Sequence, residues 1–148
     1  MAKLGNGTDG EDVARERHLR RTTPLILRPR IHALLVAASM AGWLGITVLS
    51  LLPGRDRPHT GFPGDSEHAL AYAIVAALTR LCLFGLPTRT QLAGFSGAAA
   101  LFEIAQIWIP GRTAGVDNWL ASTLGAAAGL LLARTLAHLS IRRSVPRN

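Results

Sequence analysis

Four long apolar runs separated by short polar breaks organise the chain. The first, Ile31 to Leu52, has twenty-two residues and no charge. A helix needs about 20 apolar residues to cross the hydrocarbon core of a bilayer, so this run predicts a span. Pro53-Gly54 ends it. The loop at 53–66 (PGRDRPHTGFPGDS) is rich in Pro and Gly and too polar to lie in lipid. The second run covers Glu67 to Leu86, with Asp65 and Ser66 as N-cap candidates. Arg80 near its far end can snorkel to an interface, and Pro87 closes the run. A PTRT turn leads to the third run, Gln91 to Ile109, which is rich in Gly and Ala and contains Glu103. The fourth extends from Asp117 to Leu139, with Arg134 and His138 near its end.

The expected fold is therefore all-α, an integral membrane bundle of four transmembrane helices at about 31–52, 67–86, 91–109 and 117–139. The short connections predict that runs two, three and four are antiparallel neighbours. Ala121, Gly125 and Gly129 recur every four residues, a small-xxx-small face suited to close helix contact. The third run carries Gly94, Gly97 and the alanines 98–100.

Outside the runs the character changes. Residues 1–30 mix Gly, Asp, Glu and Arg and read as a disordered cytoplasmic arm, and residues 140–148 as a basic cytoplasmic tail. The arm does not have the layout of a signal peptide, whose short basic region directly precedes its apolar core. Composition agrees with this segregation: hydrophobic residues are 49% of a chain whose formal net charge is +7. The bases flank the apolar runs and form no stripe on a soluble surface, so no nucleic-acid partner is expected; the bilayer is. Cys82 is the sole cysteine, which excludes an internal disulfide and a cysteine-based metal centre. Its apolar setting reads as packing. No metal and no cofactor are expected.

Lys and Arg placement sets the orientation. With the N-terminus inside, the cytoplasmic face collects seven bases of the arm, Arg80, Arg89, Arg134 and three of the tail, thirteen of sixteen. Arg55, Arg57 and Arg112 face out. Both termini are expected in the cytoplasm.

In this topology the polar residues converge on the outer face. Asp65 and His68 open the second helix, and Tyr72 lies one turn deeper on the face of His68. Glu103 and Gln106 share a face of the third helix, with Glu103 roughly 10 Å below its outer end. Pro110-Gly111 breaks that helix, and Arg112 and Asp117 follow in the turn. Asn118 and Ser122 begin the fourth helix. An ionisable group within a span costs about 2.5–3.5 kcal/mol on insertion scales and is a functional candidate by default. Each has a plainer reading. Glu103 and Gln106 can be interhelical hydrogen-bonding groups, His68 and Tyr72 interfacial residues, Arg112 a loop anchor, and Asp117 an N-cap. Trp43, Trp108 and Trp119 read as packing or interfacial aromatics.

Taken in order, D-x-x-H-x-x-A-Y (Asp65, His68, Ala71, Tyr72), E-x-x-Q (Glu103, Gln106), P-G-R (Pro110 to Arg112), then Asp117 and T-L-G (Thr123 to Gly125) resemble the VanZ-like family over about residues 62–130. That family, named for a protein giving low-level teicoplanin resistance, consists of small multi-pass membrane proteins. Its members commonly have a second Asp after the first and an Asn ahead of T-L-G. Asn118 and Ser122 stand there in this chain, keeping hydrogen-bonding capacity but losing one negative charge.

The resemblance implies a membrane setting and a class, and the residues add a site. The first expectation is a non-enzymatic envelope protein. Its outer cluster would bind a polar group of a lipid, a cell-wall precursor or a glycopeptide, with Arg112 meeting an anionic group. A membrane-embedded enzyme acting on a lipid-linked substrate, with His68 and Glu103 as acid–base partners, is the second. A small transporter subunit is the third. No Ser or Cys nucleophile motif supports the enzyme, and the sequence leaves the oligomeric state open.

Overall fold

The computed structural model describes residues 29–56, 61 and 64–144. Most of the expected cytoplasmic arm and the end of the basic tail lie outside the described residues. Among the described residues the chain is all helical, with no strand: α1 (Pro29–Leu51), a 3-10 turn (Gly54–Asp56), α2 (Gly64–Cys82), α3 (Thr88–Gln106) and α4 (Val116–Ser144).

Each apolar run forms one helix, with ends displaced from the sequence expectation for local reasons. The second helix stops at Cys82, four residues before Leu86, ahead of Gly85 and Pro87, and side chains take up the carbonyls that its end leaves free. Arg80 Nη1 donates to the carbonyls of Leu83, Phe84 and Leu86, and Gln91 Nε2 donates to those of Leu83 and Leu86. Arg80 is thus a clamp on the α2–α3 turn as well as a charge near a helix end. The third helix starts three residues early, at Thr88, because the Pro87 carbonyl accepts the N–H groups of Thr90 and Gln91. It ends at Gln106 and not at Ile109. Ile107, Trp108 and Ile109 tighten into i→i+3 turns before Pro110, whose ring disfavours α conformation in the preceding residue. The fourth helix runs beyond Leu139 to Ser144.

Cross-helix contacts give the directions. His32 Nε2 lies 3.4 Å from the Cys82 carbonyl, and the Ser39 and Thr79 hydroxyls are 2.8 Å apart, so α1 and α2 are antiparallel. Glu103 meets Gly115 while Ser96, further back on α3, meets Trp119 and Thr123, so α3 and α4 are antiparallel. Gly125 faces Ala69 and Gly129 faces Ala73. Both numbers rise together, so α2 and α4 are parallel. This pair shares the largest interface, whereas α2 and α3 touch little. The expectation of neighbouring helices two and three is corrected accordingly: α4 is the main partner of both. A Cβ at Gly125 or Gly129 would overlap the backbone carbonyl of Ala69 or Ala73. With glycine there the two backbones come into direct contact, the geometry that small-xxx-small faces permit.

Phe95 sits at the centre of the core. It stacks on Trp43 of α1 at 4.7 Å and meets Tyr72 of α2 edge-on at 6.3 Å, arrangements worth about 0.5–1.5 kcal/mol each beyond area burial. Ala76, Ala126 and Leu130 are fully buried beneath it.

Two helical stretches, Pro29–Leu51 and Val116–Leu139, are long and apolar enough to cross a membrane. Of the most apolar 18 residues of each, only 17% in the first and 39% in the second are buried inside the protein, whereas the core helix of a soluble protein is mostly buried. Leu34, Met40 and Leu44 of α1 and Leu124 and Leu132 of α4 all point outward. Such apolar exposure suggests membrane association.

Candidate functional site

The helix directions bring the C-terminal ends of α1 and α3 and the N-terminal ends of α2 and α4 to one end of the bundle. Every ligand-binding candidate from the sequence lies in that half, but the side chains divide into three groups.

Four are buried in it: Tyr72 on α2, Glu103 and Gln106 on α3, and Ser122 on α4. Glu103 Oε2 accepts the N–H of Gly115, 2.8 Å away, immediately before the first residue of α4. A carboxylate there satisfies a donor that helix geometry leaves free and lies at the positive end of the helix dipole. Glu103 therefore fastens α4 to α3. Tyr72 is buried within electrostatic range of this carboxyl group. Gln106, one turn from Glu103 on the same face, is 1% exposed, and its Nε2 has no hydrogen-bond partner among the described residues. Two other buried side-chain atoms are alike in this, Arg80 Nε and Gln91 Oε1. Both belong to side chains whose other atoms clamp the α2–α3 turn, at the opposite end of the bundle. Burying an amide donor without a partner costs about 1–3 kcal/mol.

Arg112 forms the second group. Its Nε donates to the Leu52 carbonyl at 3.0 Å, and Nη2 donates to the Leu49 carbonyl. These are carbonyls of the last turn of α1 and the residue beyond it, where a cation complements both the unpaired acceptors and the dipole. Two Pro-Gly-Arg turns make this possible. The Gly54 N–H donates to the Pro110 carbonyl at 3.1 Å, and a Cβ on Gly54 would overlap the Gly111 carbonyl. Gly111 itself has φ +74°, a left-handed conformation that favours glycine. The repetition of P-G-R at 53–55 and 110–112 was the visible signal for this contact.

The remaining residues line the rim. Asp65 and Asp117 are exposed in the first turns of α2 and α4, one or two residues past the positions an N-cap would take. Asn118 is half-buried beside Asp117. His68 is half-buried and lines a groove between α1 and α2.

Ser96 is a polar residue that sequence reasoning passed over. Its carbonyl and hydroxyl both accept the Trp119 indole N–H at 3.1 Å, and its hydroxyl accepts from Thr123. It lies seven residues before Glu103, two turns down the same helical face, and that spacing could have found it. Trp43 and Trp119 are packing aromatics, while Trp108 is 75% exposed at the end of α3. Among the described residues no three His, Cys, Asp or Glu side chains gather where a metal could bind.

Comparisons of the chain with protein-family models, curated proteins and solved structures find no match.

Proposed function

We propose that the protein is a multi-pass membrane protein of the VanZ-like type, with four membrane-crossing helices and both termini cytoplasmic. Its outward-facing polar site binds the polar part of a lipid, a cell-wall precursor or a glycopeptide antibiotic. That binding contributes to envelope function or low-level glycopeptide resistance.

The observation that carries this reading is the Gln106 amide. It is buried at the end of the bundle that Lys and Arg placement assigns to the outside, beside Glu103 and Tyr72, and its two N–H donors lack an acceptor among the described residues. A ligand carbonyl, hydroxyl or phosphate oxygen would complete it, and in a water-poor setting such a bond counts for more than in solvent. The lipid-facing apolar side chains of α1 and α4 and the excess of bases at the other end support the membrane placement.

Gln106→Leu separates this role from a structural one. Leucine of similar size removes a buried unpaired amide, so the variant should insert and fold at least as stably as wild type. A strain carrying it should nevertheless lose glycopeptide tolerance in a susceptibility assay. Equal protection by wild type and Gln106→Leu, at equal membrane abundance, would sink the proposal.

A further inference from the structure

The α1–α2 seam opens into a groove of about 670 Å³, within the usual size range of small-molecule sites. Gly42, Gly45 and Ile46 of α1 and Leu70, Ile74 and Val75 of α2 form its apolar length. Of its polar lining residues, Ser50, Ser66, Glu67 and His68 lie toward one end, and the buried Tyr72 lies part-way along. The hollow exists because α1 presents glycine where α2 presents branched side chains. A Cβ at Gly42 would already press on Val75, but one at Gly45 would meet nothing within 4 Å.

We infer that this groove holds one acyl chain of a phospholipid of the outer leaflet, with the lipid's head group at the Ser66–His68 rim. The inference rests on the membrane placement proposed above and names a ligand for the same face. Three features select this occupant. From Ser66 to Val75 the groove follows α2 for about 14 Å at 1.5 Å per residue. One leaflet of a hydrocarbon core is about 15 Å deep, so an acyl chain matches that length, while a polyprenyl tail would overrun it. The distribution of chemistry, mostly apolar along the shaft and hydrogen-bonding toward one end, is that of an amphiphile standing in a leaflet. Finally, the polar end coincides with the end of the bundle that carries Glu103 and Gln106, so a head group at the rim reaches the neighbourhood of the polar site.

The test uses the full chain in nanodiscs doped with a phosphatidylcholine that carries a diazirine at mid-chain. After irradiation, adducts are mapped by peptide mass spectrometry. Wild type should concentrate label on residues 42–49 and 70–75, above the level on the equally apolar outward faces around Leu101 and Leu124. Gly45→Phe, which fills the hollow, should lower groove labelling about tenfold, the change a loss of 1.4 kcal/mol gives. Gly94→Phe, placed on α3 where a Cβ likewise meets nothing within 4 Å, should leave it unchanged. Label spread evenly over all outward faces of wild type overturns the groove while leaving the membrane placement standing, and this comparison needs no variant. Absence of label anywhere overturns the placement itself.

Discussion

The two long seams of α2 are built from the same residue type with opposite results. Against α4, Gly125 and Gly129 oppose Ala69 and Ala73, and the backbones touch. Against α1, Gly42 faces the branched side chain of Val75, Gly45 faces open space, and the seam stays partly open as a groove. Glycine spacing therefore does not by itself bring helices together. What the glycine faces decides the outcome: a small partner lets the helices approach to backbone contact, while a large one holds them apart and leaves the missing side chain as a cavity. The closed seam uses its glycines for packing, and the open one has clasps toward both ends. Ser39 and Thr79 clasp it below at 2.8 Å, and Arg112 grips the end of α1 above.

The sharpest way to break the contrast is to enlarge the closed seam. Gly125→Leu would drive a side chain into the Ala69 carbonyl, which belongs to helix backbone and cannot rotate away. Overpacking in a core costs about 1–3 kcal/mol and more where nothing can yield. A backbone obstacle belongs at the upper end, so the variant should fail to give a monodisperse folded species in detergent by size exclusion. A well-folded Gly125→Leu protein would show that α2 and α4 are not in backbone contact.

The next effect is smaller and falls on the open seam. Arg112→Ala removes the charged donor from the carbonyls of Leu49 and Leu52. Hydrogen bonds to charged groups contribute about 1.5–3 kcal/mol. The expected result is a clear drop in thermal midpoint, with accelerated hydrogen exchange confined to the last turn of α1. Arg112→Lys should recover only part of the loss, since one ammonium lacks the planar fork that spans both acceptors. A change in ligand response with no change in stability would return Arg112 to the binding role expected from the sequence.

Much of this was legible beforehand, and the residues show where legibility stopped. Apolar run length and Pro-Gly breaks located all four helices, because both act within one segment. The stripe at Ala121, Gly125 and Gly129 correctly marked a close-packing face, but its partner could not be read. Helix pairing depends on which faces match in space, and α2 chose α4 over its sequence neighbour α3. The polar residues gather at one end of the bundle, a placement that connection order makes readable because each short connection reverses the helix direction. Their partners were hidden because most are backbone groups: Gly115 N–H for Glu103, and the α1 carbonyls for Arg112. A main-chain donor or acceptor leaves no mark on a sequence.

The smallest predicted effect has the opposite sign and tests the contrast most finely. Gly45 lies within α1, where glycine is less favourable than alanine by roughly 0.5–1 kcal/mol because its unfolded backbone has more freedom to lose. Nothing lies within 4 Å of the position its Cβ would occupy, so Gly45→Ala adds a methyl group without a clash and occupies only a small part of the groove. The variant should therefore be slightly more stable than wild type, by thermal midpoint in matched detergent, while Gly125→Ala, with the same atoms added, should be less stable. If the two alanine variants shift in the same direction, helix propensity outweighs the packing difference. The open and closed seams would then be energetically alike, and the hollow beside Gly45 would have no claim to be a site that wild type keeps vacant for a ligand.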